Sequence, residues 1–134
     1  MLAACAHAPA HHELPVPDVR QATVYTCSAS ALQGVLAYYG IEAREDELAK
    51  ELGVTPEDGA PPEAIVRVGQ AYGLAVAERD DMTVGDLAAE VARGNAVIVD
   101  LQAWADSPPR SWADDWDDGH YAIVVAVEGD RIVL

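Results

Sequence analysis

Cys27 and His120 are the two residues of this 134-residue chain whose types and placement could together perform nucleophilic chemistry. A cysteine attacks as its thiolate, and the positive end of a helix and a nearby imidazolium are the surroundings that favour that form. The first condition is legible locally. Behind Ser28, apolar residues recur with helical spacing at Ala31, Leu32, Val35, Leu36 and Tyr39, and Gly40 supplies a stop, so Cys27 stands at a helix N-terminus. The second condition needs a histidine from a distant segment. Of the four histidines, His7, His11 and His12 belong to the N-terminal stretch, which leaves His120 inside the expected fold. It follows Asp117-Asp118-Gly119, a glycine-permissive loop that would deliver it at the start of a strand, where a side chain can face a cleft and act as a general base. Plainer readings stand beside these: a strand-end histidine bound to a nearby aspartate, and a small buried hydrophobe at a helix start.

The elements that must position this pair follow from spacing and punctuation. Residues 16–22 read as an extended lead-in, because Pro15 and Pro17 forbid a regular helix there. Behind the Cys27 helix, residues 45–52 form a second short helix with an acidic first turn and Gly53 after it. Pro61-Pro62 opens a third that runs to Tyr72 before Gly73. Residues 74–78 alternate like a strand, Thr83 caps a fourth helix reaching Arg93, and the β-branched run 96–102 suits a buried strand. After an irregular segment over residues 104–118, the apolar runs 121–127 and 131–134 are joined by Glu128-Gly129-Asp130, a hairpin signal. Helices come first and an antiparallel sheet bearing the histidine comes second, which is an α+β layout. One domain over residues 16–134 is expected, preceded by a disordered or lipoprotein-like tail over residues 1–15.

Composition removes several classes of function. Eight basic against 23 acidic residues give a formal charge of -15, which repels phosphate backbones and anionic lipid surfaces, so neither nucleic acid nor a membrane surface is an expected partner. Two cysteines, Cys5 and Cys27, cannot build a disulfide scaffold or a close-spaced zinc site. No cofactor and no metal are expected: Asp114, Asp115, Asp117 and Asp118 lack the spacing and terminal glutamate of a calcium loop, and the N-terminal histidines lack a fixed partner set. No apolar run approaches the ~20 residues that cross a bilayer. Leu2-Ala3-Ala4-Cys5 is similar to the lipobox of bacterial lipoprotein precursors, although the charged and apolar regions that precede such a box are missing. Export to the periplasm or a lipid anchor is expected if that box is real, and a cytoplasmic location otherwise.

At the level of motifs, Arg20-Gln21-Ala22-Thr23-Val24-Tyr25-Thr26-Cys27-Ser28-Ala29-Ser30-Ala31-Leu32, then Leu36-Ala37-Tyr38-Tyr39-Gly40, then Gly119-His120-Tyr121, resemble the double-glycine leader peptidase family. That family is papain-like and processes bacteriocin precursors, and the resemblance spans residues 19–134. It implies a papain-like fold, a peptide or protein substrate, cleavage after small residues, Cys27 as nucleophile and His120 as base. By position it also implies that Gln21 donates its side-chain amide to the oxyanion hole beside the backbone N–H of Cys27. Read without the resemblance, Gln21 is an ordinary polar loop residue.

Two departures qualify the match. The family follows its cysteine with glycine and then proline or alanine, where this chain has Ser28-Ala29. Its third catalytic residue, an aspartate or asparagine after the strand that follows the histidine strand, is expected beyond Leu134, and Asp130 and Asp100 are the substitutes within the chain. The segment 104–118, with Trp104, Trp112 and Trp116, could form the rim of a substrate groove or a solvated loop with aromatic anchors. The leading expectation is therefore a cysteine peptidase, free-standing or tethered rather than the peptidase portion of an exporter. The alternatives are a catalytically weak peptide-binding module of the same fold, and acyl-transfer or amidase chemistry on the same thiol.

Overall fold

A computed structural model of the chain describes residues 12–104, 111–112 and 118–134. Four helices precede four short strands: α1 (Cys27–Tyr38), α2 (Glu45–Leu52), α3 (Pro62–Ala71), α4 (Val84–Ala92), β1 (Val97–Gln102), β2 (Gly119–Val124), β3 (Ala126–Glu128) and β4 (Arg131–Val133). This is the expected α+β class, and it is consistent with a papain-like fold. No helix among the described residues is long and apolar enough to cross a membrane.

Local signals account for the helix ends. Gly40 takes φ +77° directly after α1, a conformation that a side chain resists, and lets the Ile41 N–H reach back to the Leu36 carbonyl at 2.8 Å. α4 opens on a full capping box, in which the Thr83 hydroxyl accepts from the Asp86 N–H and the Asp86 carboxylate accepts from the Thr83 N–H. The Thr83 hydroxyl also donates to the Asp86 carboxylate at 2.7 Å, and that bond, then the one from the Thr83 N–H, lowers the Asp86 carboxyl from its ordinary value.

α1 is buried from Ser28 to Leu32 and again from Gly34 to Leu36, because it is covered on several sides. Ala29, Leu32 and Leu36 join Leu48 and Leu52 of α2 and Ala64, Ile65 and Val68 of α3 in one cluster, and Ile98 of β1 and Tyr121 of β2 pack against it. A second cluster gathers Leu14, Leu87 and Val91 of α4, and Val124 of β2, with Val97 and Val99 packed against it. The antiparallel β1–β2 pair therefore lies between two helical layers, with Ile98 and Tyr121 turned to one and Val97, Val99 and Val124 to the other. Apolar residues on both faces explain why these strands read as continuous runs rather than as alternation. α1 packs close against β2 at Gly34, where an added Cβ would sit 2.8 Å from Ile123 Cδ1. The absence of a side chain there lets the helix that begins at Cys27 settle onto the strand that begins beside His120.

The structure corrects three expectations. Residues 74–78 form no strand: the alternation turns Leu74 and Val76 inward, but Val76 packs against Gly69 of α3 and its carbonyl accepts from the Gln70 side chain at 3.1 Å, so the segment pairs with a helix. The single strand expected over residues 121–127 is two strands interrupted at Val125. There the Val125 carbonyl accepts from the Leu14 N–H at 2.8 Å and its N–H donates to the Val133 carbonyl at 2.9 Å. Consequently β1–β2 and β3–β4 form two separate antiparallel pairs among the described residues, with Glu128 opposite Arg131 at the expected hairpin. Finally, packing already involves Leu14, which is buried two residues before the lead-in expected to begin at Val16.

Ser28 is fully buried, and among the described residues its hydroxyl has no hydrogen-bond partner. An unsatisfied buried hydroxyl is costly, and alanine is the better helix former. Ser28→Ala is expected to raise stability by about 1 kcal/mol in urea unfolding. A loss of similar size would show that the hydroxyl bonds to something in solution.

Candidate active site

The turn before α1 is tied together by two threonines. The Thr26 hydroxyl donates to the Thr23 carbonyl at 3.1 Å, the Thr23 N–H donates to the Thr26 hydroxyl at 3.2 Å, and the Thr26 N–H reaches the Thr23 carbonyl at 3.4 Å. Thr26 is the N-cap of α1, but its side chain serves this turn and makes no capping bond to the helix. Cys27 is the first residue of α1, a free thiol and partly exposed. The N–H groups of a helix's first turn have no intrahelical acceptor, so those around Cys27 form a set of donors at the positive end of the helix.

Gln21 lies just ahead of this turn. Its side-chain amide donates to the Thr23 carbonyl at 2.9 Å, and because an amide NH2 carries two hydrogens, one donor is left over. The backbone of the next residue is held from elsewhere: the Ala22 N–H donates to both carboxylate oxygens of Glu45, at 2.9 and 3.1 Å.

His120 sits one residue into β2, opposite Leu101 of β1, as the sequence led one to expect. The ring of Trp104 meets it edge to face, with centroids 5.7 Å apart and planes inclined by 62°. Trp104 is positioned by Gln102 at the end of β1. That amide donates to the Trp104 carbonyl at 2.6 Å while its oxygen accepts from the Asp118 N–H at 3.2 Å, which bridges the two ends of the segment 104–118. Trp104 and Trp112 are both exposed, whereas Trp116, Asp114, Asp115 and Asp117 lie outside the described residues, as do Cys5, His7 and His11.

The two proposed substitutes for an orienting carboxylate stand differently. Asp130 is exposed in the β3–β4 turn. Asp100 is paired across the strands with Tyr121; partial burial raises its carboxyl above the ordinary value, against the smaller lowering effects of the Leu101 N–H and then of His120. Neither carboxylate hydrogen-bonds to His120 among the described residues. Tyr121 itself donates to the Ala60 carbonyl at 3.1 Å, and burial, then Asp100 and Cys27 nearby, push its hydroxyl upward so that it stays a donor. This bond ties β2 to the entrance of α3.

Gln21, Cys27 and His120 come from three segments and line one open cleft of about 570 Å³. Its walls are the lead-in from Val16 to Arg20 and β2 from His120 to Ile123, and Ser30 and Ala31 of α1 contribute small side chains beside Cys27. Among the described residues no hydrogen bond joins Cys27 to His120, although both line the cleft. Two contacts were not anticipated from the sequence. Glu45 was expected only as a first-turn acid of α2, and nothing local links it to Ala22. Trp104 was expected in a groove rim or in a solvated loop with aromatic anchors, without its contact to His120.

No curated protein and no solved structure matches the chain. A family model does, that of the Peptidase_C39-like family, over residues 13–134, which takes in the lead-in, the cysteine helix and the histidine strand alike. Family membership points to a cysteine peptidase, in agreement with the resemblance carried by the motifs around Gln21, Cys27 and His120. With nearly all of its length matched, the chain belongs to the Peptidase_C39-like family.

Proposed function

We propose that this protein hydrolyses peptide bonds with Cys27 as nucleophile, His120 as general base and then general acid, and Gln21 as an oxyanion donor. The observation that carries this reading is the shared cleft, which is lined by a thiol at a helix N-terminus, an imidazole and a side-chain amide from three segments of the chain. In the first half-reaction, His120 takes the thiol proton as Sγ bonds to the scissile carbonyl carbon, and the carbonyl π electrons move onto oxygen. That oxyanion is met by the Cys27 N–H and the free hydrogen of the Gln21 amide. Collapse expels the amine, which leaves with the proton from His120. Water then attacks the thioester, with His120 again taking a proton, and the acid product departs as the thiol is restored.

A second reading is favoured by one observation: among the described residues neither Asp100 nor Asp130 hydrogen-bonds to His120, whose ring is met by that of Trp104. A weakly catalytic peptide-binding module of the same fold would look like this. The two are separated by incubating the protein with a peptide library and reading cleavage sites by mass spectrometry, beside a Cys27→Ala control. Multiple turnovers that vanish in Cys27→Ala, with cuts following small residues, are the expected result. Peptide retention without cleavage would replace the peptidase reading with the binding one.

A further inference from the structure

Glu45 lies 23 residues from Ala22 in sequence, on a different element, yet its carboxylate is spent on the backbone N–H next to Gln21. Three features show that this contact has a geometric rather than a merely satisfying role. Ala22 is exposed, so water could serve its N–H equally well. The positive end of α2 has two other acids in its first turn, Asp46 and Glu47, so Glu45 is not needed to offset the dipole. And the chain two residues before Glu45 is tied to α1, because the Gln33 amide, two turns beyond Cys27, donates to the Ala43 carbonyl at 2.9 Å and Ala43 packs against the core.

Glu45 therefore stands beside a tie to the cysteine helix and reaches back to hold the chain just after Gln21. The Gln21 side chain is held at its other end by the Thr23 carbonyl at 2.9 Å, and Thr23 is locked to Thr26, the residue before Cys27. Backbone and amide are thus both restrained beside the turn that leads into Cys27. We infer that Glu45 is a positioning residue for the oxyanion site, acting through Ala22 and Gln21 without touching substrate. The inference rests on the peptidase reading given above.

The test compares wild type, Glu45→Ala and Glu45→Gln on two reactions. Hydrolysis of a peptide cut by the wild type passes through an oxyanion; alkylation of Cys27 by iodoacetamide is a displacement at saturated carbon and makes none. For Glu45→Ala, kcat is expected to fall about 10-fold or more with KM little changed, since small misplacements of catalytic groups carry losses of that order. The alkylation rate of Cys27 stays within about twofold of wild type, because the helix terminus is untouched. Glu45→Gln keeps an acceptor for the Ala22 N–H and recovers most of the lost kcat. Equal losses in hydrolysis and alkylation would mean general damage at the helix end and overturn the inference, as would wild-type kcat in Glu45→Ala. A wild-type protein that cuts no peptide would overturn the peptidase reading and this inference with it.

Discussion

Replacing His120 with alanine is expected to lower kcat/KM for peptide cleavage about 10²- to 10⁴-fold, the usual contribution of a positioned general base. His120 is half-buried at the start of β2, on the wall of the cleft that Cys27 opens into, and no other described histidine lines that cleft. On the proposed mechanism, removing it would take away both the proton acceptor for the thiol and the donor for the leaving amine. Cys27→Ala would remove the proposed nucleophile and is expected to bring turnover to background. Because the two act as a unit, the double variant should be no worse than Cys27→Ala alone. Steady-state kinetics on a single peptide decide the matter, and turnover unchanged in His120→Ala would sink the role assigned to that residue. A weaker but related loss is expected from Trp104→Ala, with Trp104→Phe closer to wild type, since what Trp104 supplies is an aromatic edge-to-face contact with the imidazole.

Leu36→Ala is expected to destabilise the fold by about 2–5 kcal/mol, the range for truncating a leucine in a packed core. Leu36 has no exposed surface and sits in the cluster shared by α1, α2 and α3. Domains of this kind have about 5–15 kcal/mol of total stability, so the loss would be a large share of it. Function should suffer at elevated temperature before it suffers at low temperature, because Cys27 is carried by the same helix and is lost from the cleft when that helix comes loose. Urea unfolding followed by circular dichroism measures the loss. A value below about 1 kcal/mol would show that the three helices do not share one core.

The cysteine helix and its stop were legible because their causes are local. Leu32, Val35 and Leu36 repeat with helical period, and Gly40 takes the left-handed conformation that ends α1. The Thr83 cap of α4 was legible for the same reason. Misreadings arose where a local pattern has two tertiary outcomes. Alternation over residues 74–78 fits a strand or an extended segment laid on a helix, and only the position of Val76 against Gly69 separates them. An unbroken apolar run over residues 121–127 gives no sign that Leu14 will bond Val125 and divide it. Of the site, Cys27 and His120 could be singled out from residue type and element ends, while Gln21 came from family resemblance. Glu45 carried no signal, since its partner is a backbone N–H and any residue at position 22 other than proline supplies one.

By itself, then, the sequence determined that a thiol heads a buried helix and that a histidine opens a strand, because helix periodicity, glycine stops and strand composition act within a few residues along the chain. Tertiary structure alone decided which of these ends meet. The close approach of α1 to β2 at Gly34, the tie from Gln33 of α1 to Ala43, and the Gln102 bridge that sets Trp104 against His120 all join segments separated by tens of residues or by a chain reversal. Such contacts depend on how whole elements pack, and packing is specified by the summed fit of many side chains rather than by any one residue and its neighbours.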